Sequence, residues 1–492
     1  MQDTVGEVLG SSPDEKSIST VPNIINGKEV ITNGLFPVLS HENPHKKLHN
    51  FSYIECDKDT LVEITSNAEE GLEEWASKPY PERVSILRQA AAVLEQHRDS
   101  FVKSHVEIGG PSWFAQFNVQ GVIEQLEEYI SQISRPQGVI PQSLTADLAL
   151  TYKQPIGPVL SIAPWNAPAI LGGRSIIAPL AAGCSVILKS SEKSPMLAYL
   201  LVDSFLKAGL PPRALQLVHV KPEDNPDFVD KILSTGAIKK LNFTGSTIVG
   251  KKIAGTCSKY LVPYLLELGG KNYSIVEKDA DLVASSKSVI WSSWSHKGQI
   301  CMSTDKVFVH ESIYDEYKAE LLHYAQEIAK DADYAIPQRD PIYTSKIVEL
   351  VEDALAKGAT LLFGDFDRNE AINTNSVKPL ILEGVTSEMI INKTESFGPL
   401  FTLNRYSDTS NLIRELNSQE FGLKASIWSK NVISALDIAK RIQVGGIHIN
   451  SSTVHDEPTI PHGGVKSSGV GRFNSSWGID EFSVTKTITI NQ

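Results

Sequence analysis

The chain has 492 residues and a mass of 53.9 kDa, enough for about three structural units and a large buried core. With 41% hydrophobic and 21% charged residues, it is neither disordered nor collagen-like. A formal charge of −12 without an extended Lys/Arg run speaks against nucleic acid or an anionic membrane as partner.

Residues 1–20 read as a flexible tail. Asp3, Glu7, Asp14 and Glu15 fall there without an apolar core, unlike a secretory or mitochondrial leader, and the ending TITINQ carries no organelle address. The four cysteines (Cys56, Cys184, Cys257, Cys301) are far apart, which is neither a disulfide framework nor a zinc site and suits a reducing compartment. The expectation is a cytoplasmic protein that holds no metal.

Farther along, Leu61, Ile64, Ala68, Leu72 and Trp75, then Val84, Leu87, Ala90 and Leu94, recur at three- and four-residue spacing and predict packing helices. The most apolar stretch, Gly157 to Leu188, is interrupted by Pro158, Pro164, Pro168 and Pro179 and contains Asn166 and Arg174. That composition argues against a membrane span and for strand, loop, helix and strand. Strand and helix then alternate to about Glu267, a second alternating series follows, and Phe482–Ile490 reads as strand. Alternation of this kind predicts α/β architecture with doubly wound sheets, which bind ligands beyond the carboxyl ends of their strands.

Chemistry-bearing residues gather at those strand ends. In Phe243-Thr244-Gly245-Ser246-Thr247-Ile248-Val249-Gly250, the glycines allow close backbone approach and a helix N-terminus attracts phosphate; a plain turn with a packing glycine fits as well. Lys189 and Glu192 of LKSSEKSP read either as partners for two ribose hydroxyls or as a polar strand-end loop. In LELGGKN, Glu267 is an acid among apolar residues, so burial is expected to raise its pKa toward that of a general base; the alternative is an exposed strand-end glutamate. Cys301 of GQICMS lies in a polar loop beside a glycine, where a neighbouring base would make it a nucleophile. Cys184 and Cys257 read as buried small hydrophobes. Asn166 of PWNAP is either a turn asparagine or an N–H donor to an oxyanion.

Taken together, PWNAP, LKSSEKSP, FTGSTIVG, LELGGKN, GQICMS, ESFGPL and KSSGVGRF resemble the NAD(P)-dependent aldehyde dehydrogenase superfamily from about residue 20 to the end. The interval from Glu267 to Cys301, 301 − 267 = 34 residues, belongs to that likeness. INSSTVHDEPTIPHGGVKSSGVGRF and PWNAPAILGGR are most similar to the salicylaldehyde, vanillin and benzaldehyde dehydrogenase branch.

The resemblance implies a Rossmann-like cofactor domain (21–133 and 155–266), an αβα catalytic domain (267–470) and a β-hairpin oligomerisation arm (134–154 and 471–492) in a homodimer or homotetramer. It makes Cys301 the nucleophile, Glu267 the general base and Asn166 the oxyanion donor. Lys189 and Glu192 become adenosine-ribose contacts, and Gly245, Ser246 and Gly250 the diphosphate turn. Glu395 and Phe397 become nicotinamide contacts, with Trp165, Leu268 and Gly269 also on the cofactor. Glu192 favours NAD over NADP. The implied substrate is a small aromatic aldehyde oxidised to its acid, with an aliphatic aldehyde or semialdehyde, CoA acylation or a non-catalytic role as alternatives. Two substrate-side positions stand out: His462, where an aromatic often borders the funnel, and Arg174, which either meets a substrate hydroxyl or acid or pairs with a structural carboxylate.

Overall fold

In the computed structural model, which describes residues 19–43, 45–135, 137–330 and 337–491, the continuous apolar runs form the interior of an eight-stranded sheet. Its strands lie in the order Gly469–Val470, Tyr264–Glu267, Lys240–Thr244, Val159–Ile162, Val186–Lys189, Leu215–Val218, Asn23–Ile25 and Lys28–Val30. Those from Tyr264–Glu267 to Leu215–Val218 are parallel, and Gly469–Val470 and Asn23–Ile25 pair antiparallel at their edges. All residues of Val159–Ile162 and Val186–Lys189 are buried, as strands covered on both faces require. From Val159–Ile162 the chain winds through Val186–Lys189 to Leu215–Val218, then crosses to Lys240–Thr244 and Tyr264–Glu267. The reversal leaves a crevice beyond Ile162 and Phe243, which face each other in register.

The periodic apolar residues near the N-terminus lie on helices Lys58–Ser77 and Tyr80–Gln96, with Leu61, Ile64, Ala68, Trp75, Leu87, Ala90 and Leu94 buried. The Trp75 indole N–H donates to Leu180 O at 2.8 Å, tying the first helix to helix Pro168–Ala182. Helices Arg98–Glu107 and Ser112–Ile133 lack a prediction above. Asn118 and Gln125 interrupt the buried stripe of the second and blur its 3.6-residue period.

A second sheet has the order Thr360–Phe363, Leu380–Glu383, Leu400–Tyr406, Thr304–His310, Asn272–Val276, Lys424–Trp428 and Gly446–Ile449. Only the first two strands pair antiparallel. Its own core includes Val289, Ile290, Trp294, Val307 and Phe401. Away from both sheets, Ser483–Ile490 pairs antiparallel with the whole of Leu148–Pro155, which also pairs with Gly138–Val139. Val139, Leu144, Ile488 and Ile490 remain exposed there.

Several expectations change. The supposed tail falls almost entirely outside the described residues, and Thr20 instead opens strand Thr20–Val21, paired with Lys47–Ser52. Residues 469–470, expected with the second unit, hydrogen-bond to the first sheet at Leu266 and Glu267. Among the described residues, no helix is long and apolar enough to cross a membrane.

Candidate active site

Cys301 stands just ahead of strand Thr304–His310, in a loop held by unusual backbone. His296, Lys297 and Gly298 all have positive φ (49°, 58° and 68°). A Cβ at Gly298 would lie 2.0 Å from Gly398 O, so only glycine permits this approach. The surroundings hold the strained turn in place: the Lys297 ammonium donates to Gly109 O at 2.9 Å and Pro337 O at 2.6 Å, and Asn272 Nδ2 donates to Cys301 O at 2.8 Å and Ser303 O at 2.9 Å. The sulfur lines a cavity of about 140 Å³ with Asn166, Leu171, Glu267 and Phe397. Phe114, Ala167, Leu171, Ile300, Met302 and Leu423 form one apolar cluster against which Cys301 and Val454 pack.

The thiol of Cys301 lies 3.1 Å from Glu267 Oε1. Burial, and then the negative charge of Glu267, push its pKa well above the ordinary value, so the resting sulfur is a thiol donating to a carboxylate. Glu267 ends strand Tyr264–Glu267 and is 1% exposed. Contrary to the expectation from sequence, its pKa is lowered: burial raises it, but the His462 hydrogen bond and the Arg174 charge bring it below its ordinary value. The Asn166 side-chain N–H donates to Gln299 O at 2.9 Å, two residues before the cysteine; a primary amide has a second N–H for another acceptor.

Behind Glu267 lies a buried ionic cluster. Arg174, 1% exposed, donates to Asp456 Oδ2 at 2.9 Å and has a second nitrogen 3.6 Å from Glu267 Oε2. Its guanidinium is 4.5 Å from the Phe473 ring centroid. His462, also 1% exposed, places Nε2 3.5 Å from Glu267 Oε1 and Nδ1 3.5 Å from Asp456 Oδ1. Of the two readings of Arg174, the pairing with a carboxylate is present. Neither Arg174 nor His462 is among the residues lining the cavity at the sulfur.

A cleft of about 410 Å³ occupies the crevice at the strand reversal, with Trp165, Lys189, Glu192, Gly245 and Ser246 among its walls. Trp165, Gly245 and Ser246 also line the cavity at the sulfur, so the two spaces adjoin. Ser246 caps helix Thr247–Lys259, whose first turn holds no acid, leaving the positive helix end toward the cleft. The buried Lys189 ammonium donates to Ser190 O at 2.9 Å. At Gly269 a Cβ would fall 2.6 Å from both carboxylate oxygens of Glu395, whose Oε1 accepts from Gly270 N–H at 3.1 Å. Burial pushes the Glu395 pKa up to about 7. The backbone turn, the helix end and the Lys189–Glu192 pair fit a dinucleotide.

Cys301, Glu267, Asn166, Trp165, Gly245, Ser246, Gly269, Glu395 and Phe397 therefore share one cavity, and Lys189 and Glu192 lie in the adjoining cleft. Leu268 and Gly250 stand behind it: a Cβ on Gly250 would be 2.5 Å from the Leu268 side chain. Sequence reasoning missed Tyr343 and Lys346 on helix Pro341–Ala356, which also line the cavity. Tyr343 accepts from the Trp165 indole N–H at 3.2 Å and packs on the Phe397 ring at 5.5 Å. It missed Asp456 too. Nothing local marks a loop aspartate as the partner of an arginine 282 positions away.

Known proteins resemble this chain in sequence and fold. The family model described as aldehyde dehydrogenase family matches residues 37–488. The chain is 38% identical to a vanillin dehydrogenase of Pseudomonas sp. (strain HR199) over 86% of this chain and 88% of that one. It is 35% identical to a salicylaldehyde dehydrogenase of Pseudomonas putida, over 87% and 89%. The crystal structure of a salicylaldehyde dehydrogenase from Pseudomonas putida G7 complexed with salicylaldehyde matches with a TM-score of 0.91 at 32% identity, covering 96% of this chain and 98% of that chain. The chain belongs to the aldehyde dehydrogenase family and is an NAD(P)-dependent oxidoreductase acting on small aldehydes.

Proposed function

We propose that the protein oxidises an aromatic aldehyde to its carboxylic acid, with NAD as the preferred acceptor, through a thioester on Cys301. The observation that carries this reading is the 3.1 Å contact between the Cys301 thiol and Glu267, in a cavity that also contains Asn166 and adjoins the cleft.

A thiol with so high a pKa needs a base at the moment of attack, and the ionised Glu267 supplies it. As sulfur bonds to the aldehyde carbon, Glu267 takes the thiol proton. The oxyanion of the thiohemiacetal then accepts from the Asn166 amide and the Cys301 backbone N–H. Lys189, Glu192, Ser246 and Glu395 would hold NAD(P)+, which when bound would accept a hydride from this adduct and leave a thioester. Glu267 loses its proton to solvent and takes another from the water that attacks the thioester. The acid departs, and the proton returns to sulfur. Covalent capture holds the reacting carbon in place, which free hydration of the aldehyde would not.

The apolar cluster around Cys301 favours a ring over a charged or short chain, as do the names of the relatives. A Glu192 carboxylate in the cleft accepts from a ribose 2′-hydroxyl and repels a 2′-phosphate. The exposed apolar residues of the three-stranded sheet fit an oligomerisation arm in a homodimer or homotetramer. The well-separated free cysteines fit the cytoplasm.

The test is NADH or NADPH formation with benzaldehyde, salicylaldehyde and vanillin beside propanal and a semialdehyde. Faster turnover (kcat/KM) of the aromatic aldehydes is expected, while equal preference for propanal would overturn the substrate reading. Cys301→Ala should lower activity by at least about four orders of magnitude, and an active variant would refute the thioester.

A further inference from the structure

Glu267 has a second side that the proposed mechanism leaves unused. One carboxylate oxygen meets the thiol, and the side chain is backed by His462 and Arg174, both 1% exposed. A carboxylate buried this deeply needs donors in order to stay ionised. It also needs one fixed orientation, because a rotated carboxyl loses the sulfur.

We infer that His462, packed against Glu267, is a positioning residue that keeps the Glu267 carboxylate aimed at Cys301 and ready to accept its proton. The inference rests on the reading of Cys301 and Glu267 given above and goes beyond it, since His462 is not among the residues that line the cavity. Its Nε2 stands 3.5 Å from the same Oε1 that accepts from the thiol. That is the long end of a hydrogen bond, as is common before substrate arrives.

The charged groups facing this pair come from several elements. Arg174 approaches from helix Pro168–Ala182, Lys424 from strand Lys424–Trp428, His448 from strand Gly446–Ile449, and Asp456 and Cys301 from loops. Burial, with Arg174 and Lys424, lowers the His462 pKa against the opposite pull of Asp456 and Glu267. A neutral imidazole has a single N–H. With that proton on Nε2 it donates to Glu267, while the Asp456 charge is offset by Arg174 at 2.9 Å and by Asn474 Nδ2 at 2.7 Å. The backbone that carries the ring is pinned: His462 backbone N–H donates to Phe473 O at 3.2 Å and Phe473 backbone N–H to His462 O at 2.8 Å, and the Phe473 ring packs under Arg174. In this way residues 456–473 fix the angle of the base.

The experiment compares pH profiles of kcat for the full-length wild type, His462→Phe and His462→Gln, with melting temperatures alongside. Removing a donor to a buried carboxylate should move the acid limb of His462→Phe upward by about one to two pH units. His462→Gln retains an N–H and should recover at least half of that shift. An unchanged limb in His462→Phe would overturn the inference, and so would equal shifts in both variants. If His462→Phe proves too unstable to assay, the smaller His462→Leu, which also removes the ring N–H, should shift the limb upward to a similar extent; no shift there would also overturn the inference. Cys301→Ala separates the two readings: a dead Cys301→Ala with a normal His462→Phe profile refutes this inference alone, whereas an active Cys301→Ala refutes the thioester beneath it.

Discussion

The two adjoining spaces are built on opposite principles. The space at the sulfur is governed by buried side-chain charge: Glu267 lines it, and Arg174, His462 and Asp456 pack behind that carboxylate within hydrogen-bond or ion-pair reach. The cleft is shaped largely by backbone: a turn at Gly245 and a capped helix end at Ser246. Charges in low dielectric act strongly on one another, so each residue of the first space has a specific and large effect. Backbone donors are indifferent to most neighbouring side chains, so the second space should tolerate substitution wherever no atom intrudes.

That contrast can be broken in order of effect. The largest change is expected from Glu267→Gln, which removes the carboxylate that touches the thiol. Its kcat should fall roughly 10²- to 10⁴-fold with little change in aldehyde KM, and stopped-flow NADH formation would reveal a smaller loss if another base stood in.

Gly269→Ala is intermediate. Its Cβ would meet the Glu395 carboxylate at 2.6 Å and displace the acceptor of Gly270 N–H. The KM for NAD should rise about tenfold, the equivalent of one hydrogen bond, while the kcat at saturating NAD stays close to wild type. A variant with wild-type KM would mean that Glu395 is not a cofactor contact.

The smallest effect is expected from Ile248→Asp, at a side chain 71% exposed in the first turn of the glycine-turn helix. Backbone N–H groups carry the diphosphate in the proposed reading, so KM for NAD should change by less than about twofold. An acid in the first turn adds roughly 0.3–1 kcal/mol of helix stability, visible as a slightly higher melting temperature. A tenfold loss of NAD affinity would show that side-chain charge governs the cleft as well, and the contrast would disappear.

Legibility in the sequence follows the same division. Proline and glycine punctuation within apolar runs marked the strand ends, and the strand-end motifs led to Asn166, Lys189, Gly245, Glu267 and Cys301, all of which line the cavity or the cleft. Helix Ser112–Ile133 was illegible because its buried face includes Asn118 and Gln125. Tyr343 and Lys346 were missed because helix Pro341–Ala356 gives no local sign of which end meets a ligand. The pKa of Glu267 was legible in part: its burial followed from its apolar neighbours, but the direction of the shift did not.

Local order and the chemistry available came from the sequence by itself: alternating elements, the loops between them, an acid and an amide at strand ends, and a thiol in a loop after a helix. Those depend on short-range patterning, which a linear reading captures. Only the tertiary structure decided that Arg174, Asp456, His462 and Phe473 close behind Glu267, and therefore that its pKa is lowered rather than raised. The free energy of a buried charge is set by every charge and donor around it, and those come from parts of the chain hundreds of residues apart.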